Sequence, residues 1–221
     1  MPFKFLRGDG EDRLDEIEAK VQAMFGHDRH EFDLAMSALL GDVAAAEVNA
    51  ELRAHDQKVN QLEREIRRAL VVHASVAGGL DTPAVLVYMS VVKDIERIGD
   101  YAKNLLDLAR DGARFSGAPD EVEWRRLTSD ISRSIADVGA VFKSRDTERA
   151  RQLLAPSGQW LALFDERVSA LVRGGDAPQP VARALAYRYL KRVVAHLMNV
   201  LSAVVMPVDK LDYFDEDPED R

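Results

Sequence analysis

The sequence predicts an all-α protein built as two tandem antiparallel three-helix bundles, six helices in all. Three observations carry that prediction. Apolar residues recur with a helical period along almost the whole chain of 221 residues, β-strand signals are nearly absent, and the order of elements in the first half repeats in the second. With 47% hydrophobic residues, the chain is long enough to bury one large core or two small ones. Antiparallel bundles are the economical way to bury the apolar stripes of helices joined by short loops.

Each element is legible in turn. Leu14, Ile17, Val21 and Met24 form the stripe of the first helix, and Phe32, Met36 and Leu39 resume it after a phase shift across "FGHDRHE", where Gly26 is expected to bend the chain. "LLGD" closes this helix. From Val43 to about Val76 the pattern is a heptad, with Ala45, Leu52, Val59 and Ile66 at one seam position and Val48, Leu62, Ala69 and Val76 at the other. "GGLDTP" breaks the chain, with Thr82 as N-cap and Pro83 at the first helical position. The third helix runs on to about Arg110. Trp124, Leu127, Ile131, Ile135, Val138 and Phe142 mark the fourth, and "RDTERARQLL" begins a fifth that "APSG" interrupts and "QWLALFDERVSALVR" resumes. Val181 to Met206 form the last helix, ended by Pro207.

The repeat is visible residue by residue. "HDQKVNQL" at 55–62 lines up with "FDERVSAL" at 164–171, and "ERIGDYAKNLL" at 96–106 with "KRVVAHLMNVL" at 191–201. The predicted units are therefore a first bundle over 11–112, a second over 120–207 and an acidic tail over 208–221. In the tail, "DKLDYFDEDPEDR" is strongly acidic, which favours a mobile segment. Tyr213 and Phe214 offer it an aromatic anchor.

Composition excludes several functions. A net charge of -8 and a pI near 5.2 argue against nucleic acid as a partner, because binding it requires basic patches that neutralise phosphates. Cysteine is absent, so disulfides, thiolate metal sites and cysteine nucleophiles are excluded, and a reducing cytoplasm suits the chain. No apolar run approaches a membrane span, and "MPFKFLRGDG" lacks the apolar core of a signal peptide; the expected location is the cytoplasm. "FKFLR" reads either as an amphipathic docking arm or as a frayed end.

Chemistry is most concentrated in "KDIERIGDYAKN" at 93–104. Glu96 and Asp100 stand one turn apart, where like charges repel, and Gly99 costs a helix about 1 kcal/mol relative to alanine. Projected at the helical period, Tyr88, Val92, Ile95, Gly99, Ala102 and Leu106 form the buried stripe. Lys93, Glu96, Asp100, Lys103, Asn104 and Asp107 form an adjacent polar face. Gly99 on the core side lets a neighbouring helix approach closely. Asp56, Asn60 and Glu63 make a similar row on the second helix, and if the two rows face each other their oxygens converge into a site for a hard or borderline cation such as magnesium, manganese or iron. The alternative is a solvated charged face, with Asp100 paired to Arg97 or Lys103 and Asp107 to Lys103. His55 and His73 fall on seam positions and read as packing residues, His27 and His30 as surface residues without a defined acidic partner, and Trp124 and Trp160 as core anchors.

The string "DIERIGDYAKN" at the end of a three-helix pattern, with its echo "LKRVVAHLMN" about 95 residues later, resembles the PhoU family of phosphate-transport accessory proteins. The resemblance implies two such bundles, a cytoplasmic negative regulator of the phosphate response, frequent homodimers, and contacts bridging the phosphate ABC transporter ATPase and its sensor histidine kinase. Membrane association would then be peripheral, through partners. It also implies metal bound through E/D-x-x-x-D motifs, with Glu96 and Asp100 as that motif and Asp56 and Asn60 in the place of the acidic pair on the preceding helix. Iron, manganese, magnesium or zinc is the expected class of ion. A di-metal carboxylate oxidoreductase is the enzyme alternative, but the chain has no Glu-x-x-His pair. No histidine has the neighbourhood of a phosphoacceptor, no glycine-rich cradle for phosphate precedes a helix, and a plain helical scaffold, or a metal-binding bundle unrelated to phosphate, is the remaining alternative.

The second bundle departs from the family pattern. Lys191 stands opposite Glu96 and Ala195 opposite Asp100, while Arg192 and Asn199 still match Arg97 and Asn104. On the preceding helix only Asp165 remains, with Ser169 opposite Asn60. Metal is therefore expected in the first bundle only.

Overall fold

The computed structural model describes residues 11–76 and 81–211. Among them are six α-helices and no strand: α1 (Glu11–Leu39), α2 (Ala45–Val76), α3 (Thr82–Arg110), α4 (Glu121–Ser144), α5 (Thr147–Val172) and α6 (Pro180–Val205), followed by a 3₁₀ turn at Val208–Lys210. The first three helices pack on one another, α5 packs along α6, and α4 lies against both. The bundles join through two seams, α1 on α4 and α3 on α6, so a single buried apolar cluster runs through all six helices.

Helix ends follow from local chemistry. At the close of α1, Asp42 N–H donates to the Ser37 carbonyl (2.9 Å) and Gly41 N–H to that of Ala38 (3.2 Å), a reverse turn that requires the positive φ of Gly41 (76°). Asp146 caps α5 by accepting from Arg149 N–H at 2.9 Å. The N-cap of α3 is Asp81 rather than Thr82, and Pro83 lies within the first turn. The Asp81 carboxylate is engaged elsewhere, 2.9 Å from His73 Nε2. His73 is thus a buried packing histidine, as its seam position implied.

Two expected interruptions do not occur. α1 is continuous through Gly26, and its buried positions run Leu14, Ile17, Val21, Met24, Asp28, Glu31, Ala35 and Ala38 without a change of phase. The apparent shift arose because two acids occupy core positions of an unbroken heptad. α5 likewise continues through "APSG" with Pro156 inside it, and the buried Ser157 hydroxyl donates back to the Leu153 carbonyl at 2.8 Å. In α2 the first seam is as read, but the second drifts to Glu63 and Leu70, leaving Leu62 and Ala69 partly buried and Val76 exposed. Trp124 is fully buried, whereas Trp160 packs at the margin.

Polar side chains fasten the two seams. Arg145, in the left-handed region (φ 57°) between α4 and α5, reaches Glu18 on α1 (2.8 Å) and the Tyr88 hydroxyl on α3 (2.6 Å). Buried Asp94 on α3 accepts from His196 (2.8 Å) and Asn199 (3.0 Å) on α6, and Tyr101 stacks on the His196 ring. Val208 and Leu211 pack against the core, so the segment after α6 begins docked rather than free. The rest of the acidic tail, with Tyr213 and Phe214, and the "FKFLR" arm lie outside the described residues.

Candidate functional site

The heptad of α1 turns two carboxylates into the middle of the first bundle. Asp28 and Glu31 are fully buried, and among the described residues none of their four oxygens has a hydrogen-bond partner. They press against Gly99 of α3: a Cβ placed there would stand 2.8 Å from Asp28 Oδ1 and 3.4 Å from Glu31 Oε2. The close approach that Gly99 permits is therefore an approach of acids, which explains its place in the motif better than helix packing alone. Burial is the chief cause that pushes the Asp28 carboxyl well above the usual range, with Glu31, Glu96, Asp56 and Asp100 adding to it. Burial also raises Glu31 to about 8, reinforced by Asp56 and Asp100 and opposed by Lys103.

The rows predicted on α2 and α3 do face each other. Lys103 joins them, its ammonium 2.6 Å from Asp56 Oδ1 and 2.8 Å from Asp100 Oδ1. Burial works against that charge, yet the two hydrogen bonds outweigh it and hold Lys103 above its ordinary range. Lys93 lies 2.7 Å from Glu96 and 4.0 Å from Glu63. Asp100 also meets Arg97 at 3.4 Å, as the charged-face reading anticipated, whereas Asp107 pairs with Arg110 instead of Lys103. This is not a freely solvated face, since the Glu96 side chain is only 11% exposed and that of Asp56 20%. Asn60 spends its amide nitrogen on the Asp56 carbonyl of its own helix (3.0 Å). A cleft of about 360 Å³, lined by Arg53, Arg97, Asp100, Tyr101, Lys103, Asn104 and Asp107, opens this end to solvent.

The arrangement is an acid-rich interior with a cationic rim. Asp56 and Asp100 are brought together, but through an ammonium, and Glu96 sits with Glu63 around Lys93. The two residues that sequence reasoning missed are Asp28 and Glu31. The signal was present: they stand at 4 and 7 residues beyond Met24, in register with Leu14, Ile17 and Val21. A charge at a core register position is more informative than a charge on a polar face.

A second cluster corrects the reading of the histidines. His30 Nε2 is 2.7 Å from Glu51 Oε1, so it does have an acidic partner. His27 and His55 meet through their Nδ1 atoms at 2.8 Å. Burial, the largest cause, and the positive charge of Lys58 both lower the affinity of these two rings for protons. Among the described residues, His30, Glu51 and His55 are the one group of three whose potential ligand atoms already lie within 4.8 Å of one another.

In the second bundle, Asp165 is held by Lys191 at 2.6 Å. The buried stripe of α4, from Trp124 to Phe142, contains no acid.

Residues 11–109 match the PhoU domain, so the matched segment ends within the last turn of α3. A Deinococcus radiodurans protein named as a phosphate-specific transport system accessory protein PhoU homolog is 29% identical over 171 residues, spanning 72% of this chain and 78% of that one. A Pseudomonas putida protein of the same description is 24% identical over 214 residues, 90% of this chain and 80% of its own. The crystal structure of PhoU from Pseudomonas aeruginosa superposes with a TM-score of 0.70 over 88% of this chain and 96% of its own, at 23% identity, a likeness of fold. The resemblance drawn from the motif at 94–104 is borne out by the domain match, the relatives and the shared fold. No described helix is long and apolar enough to cross a membrane.

Proposed function

We infer, for a chain that carries a PhoU domain over residues 11–109, that it is an accessory regulator of phosphate transport, working in the cytoplasm through protein contacts and without catalytic turnover. The relatives are named as accessory proteins of a phosphate-specific transport system, which supports the coarse reading. The finer one is that the contacts are with a phosphate transporter ATPase and a sensor histidine kinase, made by a homodimer. Deleting the gene and measuring phosphate uptake and phosphate-responsive expression tests it: altered repression at high phosphate is expected, and unchanged responses at both high and low phosphate refute it.

The regulator is further proposed to hold metal in its first bundle. The observation that carries this is the pair of buried carboxylates at Asp28 and Glu31, which have no hydrogen-bond partner among the described residues. A buried carboxylate is retained only when it is neutral, paired or bound to a cation. The donors fit a hard or borderline ion: Asp28, Glu31, Asp56, Glu96 and Asp100 supply oxygen only, with Asn60 beside them. Bound there, the ion would neutralise the interior charge and tie α1, α2 and α3 together. Lys103 is the competitor, since it already joins Asp56 and Asp100. Restriction of metal to this bundle is supported by the loss of its counterpart in the second, where Lys191 and Ala195 stand in the places of Glu96 and Asp100 and Asp165 is paired with Lys191. Metal analysis of purified protein beside Glu96→Ala/Asp100→Ala and Asp165→Ala separates the bundles. Loss in the first variant only is expected; retention in the first and loss in the second overturns the assignment.

A further inference from the structure

We propose that His30, Glu51 and His55 form a second metal site, for a borderline divalent cation of the zinc class, on the outer face where α1 meets α2. Glu51 and His55 are one turn apart on α2, and His30 reaches them from α1. His30 Nε2 and Glu51 Oε1 are 2.7 Å apart, the His30 and His55 rings lie 4.4 Å between centroids, and ligand atoms from all three residues fall within 4.8 Å of one another. Ligands about 2.0–2.1 Å from a tetrahedral zinc are separated by about 3.3 Å. The group therefore brackets the required spacing, and small rotations of exposed or half-buried side chains complete it. Two imidazoles and one carboxylate favour zinc, nickel or cobalt over the hard ions that suit the all-oxygen interior.

His27 has a separate part. Its Nδ1 is 2.8 Å from His55 Nδ1, and this hydrogen bond occupies one nitrogen of His55 and leaves Nε2 to bind. It is a positioning residue. The fourth place around the ion falls to solvent, as the exposure of Glu51 requires. A clip of this kind joins two helices whose adjoining residues, Asp28 and Asp56, belong to the acidic interior.

The test is a zinc titration of chelator-stripped full-length protein against a competing indicator, with cobalt as the spectroscopic probe. One zinc per chain bound at micromolar or tighter affinity is expected, with a cobalt spectrum of tetrahedral nitrogen and oxygen ligation. His30→Ala and His55→Ala should each weaken zinc at least tenfold, and the double variant should abolish the site; both side chains are half-buried and outside the apolar core, and circular dichroism checks the folding of the variants. His27→Ala should weaken zinc about tenfold while preserving stoichiometry and the cobalt spectrum, and His27→Gln should restore part of the loss. Unchanged zinc binding in His30→Ala/His55→Ala, absence of binding below about 100 µM in the parent (about 5.5 kcal/mol), or loss of zinc in Glu31→Gln but not in the histidine variants overturns the proposal. Manganese binding, followed in the same variants, reports on the oxygen site alone, so failure of one site is distinguished from failure of the other.

Discussion

Glu31→Gln provides the sharpest test of the acidic interior. Glu31 is fully buried without a hydrogen-bond partner, and its carboxyl is raised from 4.5 to about 8. Because the folded value lies above the unfolded one, the folded chain keeps a proton that the unfolded chain releases. The penalty is absent below about pH 4.5, grows through the window, and is complete above about pH 8. At roughly 1.4 kcal/mol per unit of pH, stability falls by on the order of 3 kcal/mol between pH 5 and 8 from this group alone. Protonated glutamic acid and glutamine are nearly isosteric, and each leaves polar atoms unpaired, so the substitution removes the pH-dependent part and little else. Urea unfolding in chelator at several pH values measures it. The variant should match the parent near pH 5 and exceed it by about 3 kcal/mol near pH 8, a rise in melting temperature of about 6–12 °C. Saturating manganese should reverse the order by holding the parent carboxylate ionised and bound. Parallel pH profiles for parent and variant in chelator would refute the account of a strained, charge-bearing core.

Other perturbations test the frame around it. Gly99→Ala should destabilise by about 1–2 kcal/mol despite alanine's better helix propensity, because the new methyl stands 2.8 Å from Asp28 Oδ1, and should also lower manganese uptake; chemical denaturation and metal analysis report both. Asp94→Ala leaves the His196 and Asn199 donors unpaired in the α3–α6 seam and should cost about 3 kcal/mol, read from the same unfolding curves. Pro156→Ala should stabilise by about 1–3 kcal/mol, since α5 continues through a proline that removes one helical hydrogen bond; unchanged or reduced stability would mean the chain is bent there to advantage.

Period alone was enough to read six helices, the buried stripe of α3 and the core positions of α4, because an apolar stripe has no other way to be buried. Period failed where a polar residue occupied a core position. At Asp28 and Glu31 the acids looked like a break in the stripe, and the expected phase shift and bend followed from treating charge as exposure. At Asp94 the same assumption hid a contact between bundles, since Asp94 is buried only through partners 102 and 105 residues away. Pro156 shows the opposite error, where a strong local signal was overridden by packing. The face shared by Glu96 and Asp100, the row of Asp56 opposite it and the Lys103–Asp100 pair were legible from spacing, but the reach of Lys103 across to Asp56 was not, because it depends on the distance between α2 and α3.

The two halves of the repeat resolve the same packing problem differently. In the first, Gly99 leaves room at the centre of the bundle, and the room is filled by two acids that find no hydrogen-bond partner among the described residues. In the second, Val194 stands opposite Gly99 in the aligned repeat and is fully buried, the stripe of α4 carries no acid, and Asp165, the carboxylate aligned with Asp56, is an exposed side chain paired with Lys191. A centre that carries no acid is complete as it stands. A centre with unpaired carboxylates is complete only with protons or a cation, and protons stop serving as pH rises toward 8. The first bundle is thus the half whose stability depends on the protonation of its core. It is also the half against which α4 and α6 of the second bundle are packed, so a change in its charge reaches the rest of the chain through the α1–α4 and α3–α6 seams.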